Sequence, residues 1–254
     1  MAEKQPARPA AFVTGASQGL GAAIALRLAR DGYDVAVSSR RRESLTDVVK
    51  KLQALRARAV PVELDLRSQE SIAHALAEAA ESLGQLDVLV NNAAVTLRRP
   101  SLEVTPEEWR AVMDVNLTGT FFLSQLMARH LIARRGAGCI VNLASTHGMV
   151  ALALRSTYGI SKGAIIHMTR TLAYEWAAHG IRVNAIAPST VDTPSRAAYF
   201  DANPGTREPM VARVPMGRFA KIEEVTAAVA YLVSADASYL TGHTLVLDGG
   251  LTTY

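Results

Sequence analysis

Residues 10–32 read AAFVTGASQGLGAAIALRLARDG, and this stretch decides the fold. Ala10-Ala11-Phe12-Val13 is a short apolar strand. Thr14-Gly15-Ala16-Ser17-Gln18-Gly19-Leu20-Gly21 follows it directly, and Ala22 to Arg30 has good helix propensity before Asp31-Gly32 closes it. A glycine-rich turn between strand and helix lets the backbone approach a pyrophosphate closely. The helix N-terminus behind the turn offers unpaired N–H groups to phosphate oxygens. A glycine turn can also exist for geometry alone; strand before and helix after are what favour the dinucleotide site.

Outward from this unit the same alternation continues without a linker or repeat. Apolar strands are expected at 10–13, 34–38, 59–64, 86–90, 139–144, 182–187 and 244–247. Helical patterns lie between them, at 19–30, 44–58, 68–82, 106–134, 157–178 and 222–233. Thr105-Pro106-Glu107-Glu108 marks one helix start: a capping hydroxyl, a proline at the first helical position, and acids at the positive dipole end. Seven apolar strands separated by helices imply an α/β fold with a doubly wound parallel sheet covered on both faces. The 254 residues, 49% of them hydrophobic, suffice for one large core. We expect a single domain over 10–254 after a flexible N-terminal segment at 1–9. Residues 188–215 are proline-rich, break the alternation and are expected to form an irregular lid.

Composition excludes several function classes. No apolar stretch approaches the ~20 residues that span a bilayer, and the charged start of the chain lacks the apolar core of a signal peptide. Cys139 is the one cysteine, so no internal disulfide can form, and a cytoplasmic location is expected. The net charge of +4 comes from scattered basic residues without interleaved aromatics, unlike a nucleic-acid surface. The six histidines are dispersed, and none of their spacings suggests a metal site.

Chemistry is concentrated in the second half. Tyr158 and Lys162 stand at i and i+4, on one face of a helix. A positive charge beside a phenol favours the tyrosinate and lowers a pKa that is ordinarily about 10. Such a tyrosine can exchange protons in catalysis. Ser145 ends the strand at 139–144, where its hydroxyl could polarise a carbonyl held above the tyrosine. Taken alone, a helical Tyr/Lys pair is more often a solvated face.

In order and spacing, Gly15-x-x-x-Gly19-x-Gly21, Asn91-Asn92-Ala93, Asn116, Ser145 and Tyr158-x-x-x-Lys162 resemble the short-chain dehydrogenase/reductase family, over nearly the whole chain. The resemblance implies a Rossmann fold with strand order 3-2-1-4-5-6-7. It also implies hydride transfer between a nicotinamide cofactor and an alcohol or carbonyl. Asn116, Ser145, Tyr158 and Lys162 are the implied catalytic residues. The implied cofactor contacts are Gly15, Ser17, Gln18, Gly19, Leu20, Gly21, Ser39, Arg40, Asp65, Leu66, Asn92, Ala93, Tyr158, Lys162, Pro188, Val191 and Thr193. Of these, Asp65 would take the adenine amino group, and Val191 and Thr193 the nicotinamide carboxamide. Alanine at Ala94 and serine at Ser189 depart from the family's glycines. Family members are often tetramers, so a homotetramer or homodimer is expected.

An arginine at the end of the second strand suits a 2′-phosphate, whereas a carboxylate there suits a ribose diol. Ser39-Arg40 stand at that point, so NADP(H) is preferred, with NAD(H) possible. The substrate is expected to be a small carbonyl or alcohol: a polyol, sugar or sugar acid, suggested by Ser145, Thr146, His147, Arg155 and Arg196 near the mouth. The alternatives are a 3-oxoacyl-thioester reductase and, from a different class, a non-catalytic dinucleotide sensor, against which intact Ser145, Tyr158 and Lys162 argue.

Overall fold

Alternate residues of the first strand, β1 (Ala10–Val13), point into opposite layers and build two cores. Ala10 and Phe12 join the layer under helices α3 (Gln69–Leu83), α5 (Thr120–Ala133) and α6 (Ser156–Trp176). Ala11 and Val13 join the layer under α1 (Gly19–Arg30), α2 (Thr46–Ala54) and α9 (Ile222–Val233). All four residues of β1 are fully buried, which is why the strand reads as a continuous apolar run rather than an alternating one. The computed structural model describes residues 8–253; residues 1–7 of the expected N-terminal segment lie outside the described residues, as does Tyr254.

The other strands are β2 (Asp34–Ser39), β3 (Ala59–Glu63), β4 (Val88–Asn91), β5 (Gly138–Leu143), β6 (Ile181–Pro188) and β7 (Thr244–Leu247). They form one seven-stranded sheet of order β3-β2-β1-β4-β5-β6-β7, as the resemblance implies. Every pairing is parallel. The order reverses between β1 and β4, and a crevice opens there beyond the carboxyl ends of the strands. At the opposite edge, the buried Asp34 accepts from the backbone N–H and the guanidinium of Arg58, at 2.9 and 2.8 Å. It therefore fastens the sheet and lies away from the crevice.

Two expectations are corrected. The helix expected over 106–134 is interrupted: α4 (Pro106–Met113) opens with the capping box Thr105/Glu108, a π-helical turn follows at Asp114–Gly119, and α5 continues from it. The close approach at Gly119 helps explain the wider turn. A Cβ there would lie 2.2 Å from the Leu66 carbonyl oxygen, so this side of the helix sits against the backbone after β3. The stretch 188–215 is not irregular. It folds into α7 (Pro194–Ala202) and α8 (Arg207–Ala212), the first capped by Thr193 with Pro194 at its first helical position. Among the described residues, no helix is long and apolar enough to cross a membrane.

Candidate active site

The glycine turn is built to be close to its neighbours. Gly15 has φ +64°, and a Cβ there would meet the Ala93 Cα at 2.8 Å. A Cβ on Gly21 would lie 2.3 Å from the Gly15 carbonyl oxygen and 2.5 Å from Asn92 Nδ2. Asn92 ties the turn to β4: its Nδ2 donates to the Thr14 and Gly15 carbonyls at 2.9 and 3.1 Å. Thr14 Oγ1 accepts from the backbone N–H groups of Asn92 and Ala93.

Beyond the turn lies a cleft of about 680 Å³, lined by Gly15, Ser17, Gln18, Ser39, Arg40 and Asp65, with Leu66, Asn92 and Ala93 among its further walls. Its chemistry fits the adenosine end of a dinucleotide. The backbone cradle has no room for a side chain, Arg40 is exposed at the rim, and the Ser38 hydroxyl is buried without a protein partner. Two details could not be read from the sequence. Asp65 is clasped by Arg67 at 2.5 Å, which holds its carboxyl below the usual range, so it is not a free acceptor. The Ser39 hydroxyl donates to the Arg41 carbonyl at 2.6 Å, folding the Arg40-Arg41 bend.

At the other end of the crevice, Ser145 follows β5 and Tyr158 and Lys162 stand on the first turns of α6. Ser145 Oγ accepts from the His147 N–H at 3.2 Å, which starts a short 3-10 turn at Thr146–Gly148. A Cβ on Gly148 would lie 2.5 Å from the Lys162 carbonyl carbon, so this turn packs directly on α6. That contact brings the serine to the tyrosine, close enough for its hydroxyl to favour the ionised phenol. The His147 ring meets Tyr158 edge-on, with centroids 5.9 Å apart.

The expected lowering of the Tyr158 pKa by Lys162 is not what this structure shows. Burial holds the phenol above its ordinary range; the Ser145 hydroxyl and the guanidiniums of Arg155 and Arg196 pull the other way. Lys162 Nζ donates to the Leu143 carbonyl at 2.5 Å and sits 5.7 Å from the tyrosine ring centroid. Burial in turn brings the lysine down to about 8.

Asn116 lies in the π turn, where such turns often mark functional sites. It is buried and its amide is engaged on both sides. Oδ1 accepts from the Val95 N–H at 2.8 Å, while Nδ2 donates to the Val95 carbonyl at 2.9 Å and to Ser161 Oγ at 3.0 Å. It thus joins the loop after β4 to the residue preceding Lys162.

Other expected contacts are engaged within the protein. Thr193 Oγ1 accepts from the Arg196 N–H as the α7 cap, and Val191 bridges Ala220. Pro188 closes β6 against Leu247. Gly19, Leu20 and Gly21 form the start of α1. Cys139 is buried, and burial pushes its thiol up to about 11, so it packs rather than reacts.

A family profile described as enoyl-(acyl carrier protein) reductase matches residues 15–252. The chain is 40% identical to 3beta-hydroxysteroid dehydrogenase 1 of Eggerthella lenta, covering 95% of this chain and 93% of that one. It is 39% identical to glucose 1-dehydrogenase 2 of Bacillus subtilis, over 96% of this chain and 95% of its relative. An actinorhodin polyketide ketoreductase solved with NADPH superposes with a TM-score of 0.90 at 36% identity, covering 97% of this chain and 98% of the other. A xylitol dehydrogenase solved with NAD+ gives 0.88 at 31% identity, covering 95% and 98%. The nicotinamide dinucleotides of these neighbours agree with the cradle at Gly15. The chain belongs to the short-chain dehydrogenase/reductase family, as an oxidoreductase acting on CH–OH and C=O groups.

Proposed function

We propose that the enzyme prefers NADP(H) and interconverts a small polar ketone with its secondary alcohol, the substrate being of the polyol, sugar or sugar-acid type. The observation that carries the chemistry is the grouping of Ser145 and Lys162 about the Tyr158 phenol, at the end of a crevice with a glycine cradle. When bound, the dinucleotide supplies or accepts the hydride. Tyr158 moves the proton at its phenolic oxygen. The phenol donates to the carbonyl oxygen in reduction, and the tyrosinate takes the hydroxyl proton in oxidation. Ser145 orients and polarises that oxygen. Lys162 exchanges protons near its shifted value of about 8 and can hold ribose hydroxyls. Asn116 fixes the position of Ser161, and through it the turn of α6 that bears Lys162.

The cofactor preference rests on Arg40. It is exposed at the end of β2, next to a serine and not a carboxylate. Arg67 stands in the same cleft as a second cation, although Asp65 offsets its charge. The glucose and xylitol dehydrogenases among its relatives favour the polar substrate class. The family profile's description and the polyketide ketoreductase keep a 3-oxoacyl-thioester reductase as the second reading. A steady-state panel of ketoses, keto-sugar acids, acetoacetyl thioesters and aromatic ketones, each with NADPH and with NADH, tests both parts. We expect the highest kcat/KM for a polar ketone with NADPH. Equal use of NADH would remove the cofactor assignment, and a thioester at the head of the panel would promote the second reading.

A further inference from the structure

A cavity of about 320 Å³, which meets the catalytic tyrosine through His147, is also lined by Arg98, Arg155, Arg196 and Arg213, and among the described residues no carboxylate stands in its walls. Three separate segments deliver these cations: the loop after β4, the segment before α6, and α7 with the end of α8. None of its lining residues is shared with the cleft that contains Gly15 and Arg40, so the phosphate-binding parts of the cofactor site do not account for it.

Several arginines elsewhere are paired, while others, such as Arg40, Arg129 and Arg170, stand exposed in solvent. Arg42 meets Glu78, Arg58 meets Asp34, Arg67 meets Asp65, Arg99 meets Glu108 and Arg218 meets Glu224. Arg98, Arg155 and Arg196 form no ion pair with a carboxylate among the described residues. Arg196 is half-buried, with its guanidinium 5.6 Å from the Tyr199 ring centroid and 5.9 Å from that of Phe200. Arg98 reaches the Tyr199 hydroxyl at 3.5 Å, at the limit of a hydrogen bond. Arg155 is half-buried, and burial, Arg98 and Arg196 all depress its pKa. The same neighbourhood disfavours protonation of His147, which loses first by burial and then by Arg155, Arg196 and Arg213. Partly buried cations that repel one another are costly unless an anion joins them. Guanidinium groups also match the planar or tetrahedral oxyanions they would receive.

We infer that the substrate carries an oxyanion, a carboxylate or a phosphate, held in this cavity by Arg98, Arg155 and Arg196 while its carbonyl or alcohol carbon faces Tyr158. This deepens the proposed polar-substrate reading and rests on it for the location of the reacting carbon. The anion would act as the remote handle that orients the reacting centre. His147, edge-on to Tyr158, forms the wall between the handle and the proton donor.

Glucitol, gluconate and glucitol 6-phosphate share one six-carbon chain and differ at a terminal group, so they serve as probes. Their binding to the NADPH-loaded enzyme is measured by calorimetry, a state in which an alcohol cannot be oxidised. We expect gluconate or glucitol 6-phosphate to bind about ten-fold or more tightly than glucitol at low salt, with the margin shrinking as ionic strength rises. Whichever anion leads identifies the handle as carboxylate or phosphate. Arg98→Gln, at an exposed position, should reduce the margin, and Arg155→Met with Arg196→Met should abolish it. Glucitol binding as tightly as both anions, absence of binding by both, or a margin that survives these variants would overturn the inference. Oxidation of the same compounds with NADP+ and NAD+ separates the two readings. An anion margin without turnover of any polar alcohol leaves the anion site standing and removes the proposed substrate class. Turnover of glucitol without an anion margin does the reverse.

Discussion

The two ends of the crevice handle charge in opposite ways. At the adenosine end, Arg67 is clasped to Asp65, and Arg40, exposed at the rim, comes directly from the end of β2. At the substrate end, Arg98, Arg155 and Arg196 meet in a wall where, among the described residues, no carboxylate stands. The first end is made of strand ends and backbone, held by Thr14 and Asn92 contacts a few ångströms long. The second is made of side-chain tips carried on the segments before α6 and after β6. A backbone cradle suits a ligand common to a whole family, whereas side-chain tips on connecting segments can be exchanged without disturbing the sheet. Cofactor recognition and substrate recognition therefore sit on parts of the molecule with different freedom to vary.

The largest expected effect falls on the proton donor at the substrate end. Tyr158→Phe removes the proton donor and leaves the cradle untouched, so turnover should fall by about 10²–10⁴-fold while cofactor affinity changes little. Fluorescence titration with NADPH beside steady-state rates checks both halves; parallel loss of cofactor binding would join the two ends into one unit and defeat the comparison. The pH dependence follows from the direction of the Tyr158 shift. Because burial holds the phenol above its ordinary range, the donor form persists through neutral and mildly alkaline pH, and ketone reduction should stay flat there. Alcohol oxidation needs the tyrosinate and should keep rising with pH over the same window. Opposite trends in chemistry-limited rates would contradict the role given to Tyr158.

How much of this was legible in the sequence follows the same division. The stretch at residues 10–32 announced its strand, turn and helix because local propensity, full burial and the glycine geometry agree there. The ends of β1 and β7 matched the apolar runs, since turn residues bound both. Two things were not legible. The π turn at Asn116 depends on Gly119 meeting Leu66, a contact between residues far apart in the chain, while the local pattern of 106–134 is simply helical. The environment of Tyr158 was not legible because helical spacing places Lys162 on the right face but cannot show how deeply the phenol is buried. The arginine-lined cavity was visible only in fragments. Arg155 and Arg196 could be named as polar groups near the mouth, but Arg98 and Arg213 join them only when the sheet is folded. Glu107 and Glu108 after Thr105-Pro106, by contrast, signalled a helix start that formed as a complete capping box.

A smaller effect sharpens the adenosine end. In Ser39→Asp the new carboxylate would stand beside Arg40 and against a 2′-phosphate, while favouring a ribose diol. The ratio of kcat/KM for NADPH over NADH should shift toward NADH by about 1–3 kcal/mol, the range for hydrogen bonds to charged groups. The wild-type ratio should fall as salt is raised, because Arg40 is exposed and its attraction is screened. Substrate KM should hardly move, since Ser39 lines only the adenosine-end cleft. A salt-insensitive ratio, unchanged in the variant, would make Arg40 an ordinary surface residue and remove the charge contrast between the two ends at its rim.

The smallest expected effect concerns the outer surface, and it asks whether the substrate end serves free molecules or carrier-bound chains. An acidic carrier protein needs exposed cations near the mouth, on the outer faces of α5 and α6. In α6, Tyr174 is 90% exposed and Glu175 stands exposed beside it. A tyrosine supplies no charge and the neighbouring carboxylate repels an acidic partner. Arg134, at the end of α5, is already engaged by Asp87, which leaves Arg129, Arg135 and Arg170 as the exposed cations of this region. Weak turnover of carrier-linked 3-oxoacyl chains is therefore expected, below that of a free polar ketone at equal NADPH. Tyr174→Arg should raise kcat/KM for the carrier substrate by less than about ten-fold, mainly through association and only at low salt, as rim charges do. It should leave the free ketone unaffected, because residue 174 lies outside both clefts. A wild-type kcat/KM on the carrier substrate far above every free compound would show that the remaining arginines dock it unaided. It would also turn the substrate end from a pocket for small molecules into the mouth of a carrier-dependent reductase.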